Sequence, residues 1–246
     1  MNTTPLVIEF IGLPGAGKTT TAQIAIESLT SVGYHCFAQN TLENPESIEK
    51  KRGGILSKLR MLYHFLLSCV LYRNFAWNAF KFALTIKPFS FVNLRRFIVL
   101  VVRLKFLRSK INGNYDLFIL DQGLIQYVWS IAITGKQSGN SNYLEGVLKS
   151  IINELSLYVI MVDVEAELAI KRIIARPTMR SRFDRMSPSS AETMLSEHKK
   201  MFSQIVNLSD SFRNTGYLSV NGRQSIQENV GIIVPFINQA WQSRNA

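Results

Sequence analysis

Cysteine and histidine are scarce in this 246-residue chain, with two cysteines, Cys36 and Cys69, and three histidines, His35, His64 and His198. Scattered as they are, they share no metal-ligand spacing, which excludes a disulfide framework and a cysteine- or histidine-based metal centre. Position in the sequence suggests no Ser/His/Asp or Cys/His arrangement and no paired carboxylates of the glycosidase kind. Internal repeats and low-complexity tracts are also lacking. The N-terminus has no basic stretch followed by an apolar one, so the expectation is a cytoplasmic protein without a secretory signal. The most informative gap is in acidic residues. From Lys50 through Lys110 there are fourteen Lys and Arg and no Asp or Glu, in a chain whose net charge is +11. The remainder carries fourteen basic and seventeen acidic residues, so the whole surplus of positive charge belongs to one internal segment. An anionic partner or substrate is expected there. Within that segment the longest uncharged stretch, Met61–Tyr72, has twelve residues and contains His64, against the roughly twenty apolar residues a spanning helix needs.

Apolar residues make up 47% of the chain, enough for one large domain, or one domain with an insertion. The apolar run Leu6–Ile11 reads as a buried strand. It leads into Gly12-Leu13-Pro14-Gly15-Ala16-Gly17-Lys18-Thr19-Thr20, which fits the phosphate-binding P-loop pattern G-x-x-x-x-G-K-[ST]. Ala22, Ala25, Ile26 and Leu29 then follow at helical spacing, and Gly33 ends the helix. In this strand–loop–helix setting the glycines turn backbone N–H groups inward around phosphate oxygens, and the helix N-terminus adds its positive end. Gly12, Gly15, Ala16, Gly17, Lys18, Thr19 and Thr20 are therefore the expected nucleotide-binding residues. Lys18 is expected to reach the β- and γ-phosphates and the Thr19 hydroxyl to hold Mg²⁺.

Further along, Tyr34–Gln39 reads as a second strand and 41–54 as a polar linker. Three basic, apolar helical pieces follow, the first carrying Leu59, Leu62, Tyr63, Leu66, Leu67 and Val70 at helical spacing, the second spanning Phe75–Ile86 and the third Val92–Lys110. Two readings of these pieces stand side by side: a helical subdomain whose aromatics, Trp77 among them, pack on one another, or amphipathic helices on an anionic membrane surface. The turn at 112–114 leads to strand Tyr115–Leu120, ending in Asp121. Beyond a polar loop at 137–141 and a helix over Tyr143–Leu155 come strand Leu157–Val164 and helix Glu165–Ala175. A helix beginning at Ser187-Pro188 has Ser189 and Glu192 spaced as a capping box. Strand Tyr217–Val220, the turn Asn221-Gly222-Arg223 and helix Gln224–Trp241 complete the chain. Strands alternating with helices predict a parallel sheet covered on both faces.

In such a sheet ligands bind at the C-terminal strand edge. Asp121 is placed there to assist Mg²⁺ or to accept a proton from an attacking hydroxyl. Gln122 stands where hydrolytic motor-type ATPases commonly carry a water-activating Glu, which favours transfer to an organic acceptor. Arg172 and Arg176 share one helix face, while Arg180, Arg182 and Arg185 follow Pro177 on a loop. Positioned arginines stabilise the charge that spreads over a transferring phosphoryl group.

In the order of these pieces the chain resembles the small P-loop nucleoside and nucleotide kinases, thymidylate-kinase-like proteins in particular. The resemblance is carried by Gly12–Thr20, Asp121-Gln122-Gly123, Val162-Asp163-Val164 with its helix, the Arg180–Arg185 loop and Asn221-Gly222-Arg223. It implies a three-layer P-loop kinase fold with a five-stranded parallel sheet ordered 2-3-1-4-5, ATP–Mg²⁺ as donor, and a lid over about 176–187. It also implies an acceptor-side helical insert over about 46–111 and an adenine contact near Arg223; a homodimer is a separate expectation for the assembly. Lys18, Asp121, Arg176, Arg180 and Arg182 become the expected catalytic set. Arg96, Arg103 and Gln122 become the acceptor-side candidates. Thymidylate kinases have an Asp-Arg pair where this chain has Asp121-Gln122, which argues against thymidylate itself as acceptor. The rival expectation is a P-loop NTPase switch whose basic insert binds nucleic acid or an anionic membrane surface.

Overall fold

The structure, a computed structural model, describes residues 5–38, 55–86, 91–111, 115–121, 123–133, 141–176, 182–209 and 215–245. The linker at 41–54, the turn at 112–114, all but the last residue of the 137–141 loop, Gln122 and Arg180 lie outside them. Five strands, β1 (Leu6–Ile11), β2 (Cys36–Ala38), β3 (Leu117–Asp121), β4 (Leu157–Asp163) and β5 (Gly216–Asn221), form one sheet. Its order is β2-β3-β1-β4-β5 and every pairing is parallel. Three-layer architecture and strand order are those of the P-loop kinase fold. β1 is central, so Leu6–Ile11 is buried along its whole length, as befits a parallel strand covered on both faces.

Helices α1 (Lys18–Ser31), α5 (Leu124–Ala132), α6 (Ser141–Leu155), α7 (Ala166–Ile174), α8 (Pro188–Ser209) and α9 (Ile226–Asn245) surround the sheet. α1 and α9 pack together, and α5 and α6 lie against β1 and β4. Trp129 of α5 stacks on Phe202 of α8, with ring centroids 5.4 Å apart. The basic segment forms α2 (Ile55–Leu71), α3 (Arg73–Thr85) and α4 (Phe91–Ile111). α3 docks on α6, where the Asn78 side chain donates to Ser150 Oγ at 2.9 Å and lies over Gly146. A larger residue at 146 would meet Asn78 there.

One local expectation changes. The helix after Ser187 is not capped by a Ser189–Glu192 box. Instead Ser187 Oγ accepts the Ser190 N–H at 3.3 Å with Pro188 at the first helical position, where its missing N–H costs nothing. The reciprocal box lies at the start of α9. There the Ser225 N–H donates to Glu228 Oε2 at 2.9 Å, and the Glu228 N–H donates to Ser225 Oγ at 3.2 Å. For the apolar stripe of α2, the sequence leaves two readings open. Leu59, Leu62, Tyr63, Leu66 and Val70 are exposed, while α2 packs on α3 and α4 through its opposite side.

Because the Ser225 hydroxyl satisfies an N–H that no helix bond can reach, Ser225→Ala should lower stability by about 1 kcal/mol. Urea unfolding reads this directly, and an unchanged midpoint would remove the cap from the account of α9.

Candidate active site

The loop Gly12–Gly17 departs from β1 at the C-terminal edge of the sheet, and α1 begins at Lys18. Two of its glycines are required on the same two grounds, a positive φ and a close approach to a backbone carbonyl. Gly12 has φ +142° and a Cβ there would meet the Val162 carbonyl oxygen at 2.5 Å; at Gly15, φ is +88° and the clash is with the Ala169 carbonyl oxygen at 2.4 Å. These close approaches seat the loop on β4 and α7. Lys18 is buried, and its Nζ donates to the carbonyls of Gly12 (2.9 Å) and Leu13 (2.8 Å). Burial brings its ammonium down to about 8, against the opposing pull of Asp121, with the positive charge of Arg176 adding to the fall. A phosphate arriving in the loop would offer Lys18 an anionic acceptor in place of two neutral carbonyls.

The structure brings Thr19 and Asp121 together across 102 residues of sequence. Thr19 Oγ1 donates to Asp121 Oδ2 at 2.6 Å. Asp121 Oδ1 is buried and has no hydrogen-bond partner among the described residues, a costly state for a carboxylate oxygen unless a ligand completes it. A hydroxyl and a carboxylate are the hard oxygen donors that Mg²⁺ takes, so the residues present fit that ion. Thr20 is exposed on the first turn of α1.

The arginines separate. Arg172 serves as a strut: Nη2 donates to the Gly222 carbonyl at 2.8 Å and Nη1 to the Ala16 carbonyl at 3.4 Å. It thereby joins the P-loop to the turn after β5, whose Gly222 N–H donates to the Asp163 carbonyl at 2.6 Å. Arg176, four residues on, is exposed and its charge is felt at Lys18. Arg182 begins a short 3₁₀ turn, Arg182–Arg185. Arg223 forks onto Glu165, with Nε and Nη2 each 2.7 Å from Oε2. Beside this pair, a polar cleft of roughly 460 Å³ is lined by Asp163, Glu165, Lys199, Ser219, Asn221 and Arg223, and Lys199 pairs with Asp163 at 2.6 Å. On α4, Arg103 lies 4.8 Å from the Tyr127 ring centroid and its charge reaches Glu9. Arg96 instead donates to the Ser130 carbonyl at 3.5 Å. Ser130 is six residues beyond the start of α5, about 9 Å along its axis and away from the strand edge. Arg103 thus joins the site's surroundings and Arg96 points to the far end of α5.

Sequence reasoning missed Glu9 and Gln126. Glu9 lies on β1 with no exposed surface, and its carboxylate caps α5 from across the fold, accepting the N–H groups of Ile125 (3.1 Å) and Gln126 (2.8 Å). Gly123, the helix N-cap, has no side chain to do this, and a Cβ there would stand 2.6 Å from the Glu9 carboxyl. Gln126 Oε1 then accepts the Gly12 N–H at 3.1 Å. A buried acid on the central strand therefore holds α5, and α5 holds the first glycine of the P-loop. The available signal was a lone Glu inside an otherwise apolar strand, a residue type almost never buried without partners.

Burial lifts the Glu9 carboxyl from 4.5 to about 7, although the N–H groups of Gln126, Ile125 and Leu124, and the Arg103 charge, pull it back. With its folded value above the unfolded one, the folded protein binds the extra proton. The resulting stabilisation is complete below the unfolded value and is lost as pH rises through the folded one. Relative to Glu9→Gln, the wild type should lose about 3 kcal/mol of stability between about pH 5 and about pH 8. Urea midpoints of both proteins across that range test this, and parallel curves would refute it.

No protein-family model and no curated protein matches the chain. Among solved structures it is similar to deoxyadenosine kinase from M. mycoides with the products dCMP and a flexible dCDP bound, at 16% identity and a TM-score of 0.49, covering 95% of this chain and 99% of that one. The same enzyme with bound dATP is similar at 17% identity and a TM-score of 0.49, covering 95% and 100%.

Proposed function

We propose that the chain is an ATP- and Mg²⁺-dependent phosphotransferase, a small-molecule kinase acting on a nucleoside, nucleotide or other anionic acceptor. The observation that carries this reading is the 2.6 Å bond from Thr19 to Asp121, with Asp121 Oδ1 left without a hydrogen-bond partner among the described residues. It joins the P-loop hydroxyl to a carboxylate at the strand edge where phosphoryl transfer needs both.

In this reading Lys18 and the backbone N–H groups of Gly15–Gly17 hold the donor phosphates, and Gly12 is kept in place by Gln126. Thr19 and Asp121 would hold Mg²⁺, which when bound neutralises charge on the donor phosphates. Asp121 also takes the proton of the acceptor hydroxyl, whose oxygen attacks the γ-phosphorus as the bond to the leaving ADP breaks. Arg176, whose charge already reaches Lys18, supplies positive charge to the transferring group, and Arg180 and Arg182 close over it. Arg223, fixed by Glu165, flanks the adenine at the polar cleft. Arg103 and the Tyr127 ring it covers offer a flat cationic face to the acceptor, with Gln122 as a further acceptor contact, while Arg96, turned to the far end of α5, is left out of this set.

The test is transfer from γ-labelled ATP with Mg²⁺ to nucleosides, nucleoside monophosphates and a metabolite extract. Label should appear on an organic acceptor, and Lys18→Ala should cut transfer by about 100-fold or more while the unfolding midpoint stays close to wild type. Asp121→Asn should bind nucleotide and fail in transfer. Label found only as free phosphate, or near-normal transfer by Lys18→Ala, would overturn the assignment.

A further inference from the structure

Helix α2 has one anchored face and one bare face. On the anchored side Ser68 is fully buried and Phe65 meets Phe97 of α4 edge-on, with ring centroids 5.6 Å apart. On the other, Leu59 (55% exposed), Leu62 (50%), Tyr63 (61%), Leu66 (56%) and Val70 (75%) recur at i, i+3, i+4, i+7 and i+11. That spacing makes one continuous stripe along about three turns. Lys58 and Arg60 are exposed and, at 100° per residue, fall on opposite sides of the stripe. At its edge Lys105 of α4 lies 5.8 Å from the Tyr63 ring centroid and bonds His64 Nδ1 at 3.0 Å. The next helix repeats the combination: Trp77 is 57% exposed beneath Lys81 Nζ, 5.0 Å from its ring centroid. Monomeric soluble proteins rarely leave such contiguous apolar surface without a use for it.

We propose that α2 is a membrane-surface helix, whose leucine–tyrosine–valine stripe enters the interfacial layer of an anionic bilayer while Lys58, Arg60 and Lys105 meet headgroup phosphates. The inference is independent of the phosphotransferase reading. Charge selects the occupant. The segment from Lys50 to Lys110 has fourteen cations and no carboxylate, so it complements an anionic surface. A second copy of the chain docked on the same stripe by two-fold symmetry would set this patch against itself, cation facing cation with no acid from the segment between them. Nucleic acid would satisfy the cations, but its phosphate backbone has nothing for Leu59, Leu66 and Val70 to pack on. A lipid interface takes both components, and tyrosine and tryptophan are the side chains enriched at that depth. Among the described residues no helix is long and apolar enough to cross a membrane, which leaves a helix lying in the surface plane.

The test is flotation of the full chain with vesicles of phosphatidylcholine containing roughly one-third phosphatidylglycerol, against vesicles of phosphatidylcholine alone. The protein should float with the anionic vesicles, less as salt rises, and far less with the neutral ones. Leu62→Glu with Leu66→Glu should reduce partition about tenfold or more, and Lys58→Glu with Arg60→Glu about tenfold. All four side chains are exposed, and an unchanged unfolding midpoint will show that the fold is kept. Failure of the wild type to float, or flotation indifferent to the leucine pair, overturns the proposal. Lipid-free self-association abolished by that same pair would overturn it in favour of a second copy of the chain. Binding of RNA or DNA with no binding of anionic vesicles would overturn it in favour of nucleic acid.

Discussion

A carboxylate buried in the central strand governs the geometry of the phosphate-binding edge. Glu9 lies within LVIEFI, the most enclosed strand of the sheet, and its oxygens satisfy N–H groups in the first turn of α5. Helix ends leave such groups without internal partners, and an anion at the N-terminus also meets the positive end of the helix dipole. One residue thus answers two demands of burial at once: the helix needs an acceptor and the acid needs donors. Gln126 on the helix so held binds the Gly12 N–H. Gly123 is part of the same device, because any side chain there would displace the Glu9 carboxyl. The position of the P-loop therefore depends on an interaction that begins in the middle of the sheet.

Around that fixed edge the charged groups divide by what they touch. Arg172 spends its donors on the backbone carbonyls of Ala16 and Gly222, so it braces the loop against the turn after β5. Arg176, one helical turn later, is exposed and acts on Lys18 through charge alone. Two arginines four residues apart on one helix thus have different parts, because α7 ends between them and the chain turns out toward solvent. The basic insert shows a comparable division. Its aromatic and aliphatic residues supply core on one side of α2 and an exposed stripe on the other, and Lys58, Arg60 and Lys105 border the exposed side, while Arg96 and Arg103 turn toward α5.

Much of this was legible in the sequence because it is local or periodic. The glycines, lysine and threonine of residues 12–19 mark the loop by their order, since that order gives inward N–H groups, a cation and a hydroxyl at a helix start. The alternation of apolar runs with helical spacing led to a parallel sheet, and the resemblance those pieces carry implied the order 2-3-1-4-5 that the structure has. Periodicity also located α2, α3 and α4. It could not say which way their stripes face, because a spacing of three and four residues defines one side of a helix and not what covers it. The capping box was misplaced for a related reason. Ser189–Glu192 and Ser225–Glu228 have the same spacing, and only the site where each helix begins decides which pair can close.

What the sequence by itself determined is the phosphate-binding loop, the class of fold and the confinement of positive charge to one segment, because each depends on neighbours in the chain or on composition. What only the tertiary structure decided is which distant residues meet. Thr19 reaches Asp121, Glu9 reaches α5, and Arg172 spans from Ala16 to Gly222. These contacts join residues between 50 and 156 positions apart, and a single sequence contains no term that couples them. The coupling arises when β1, β3 and β4 pair in register and bring their C-terminal ends to one edge, where buried polar groups must find one another or remain unsatisfied.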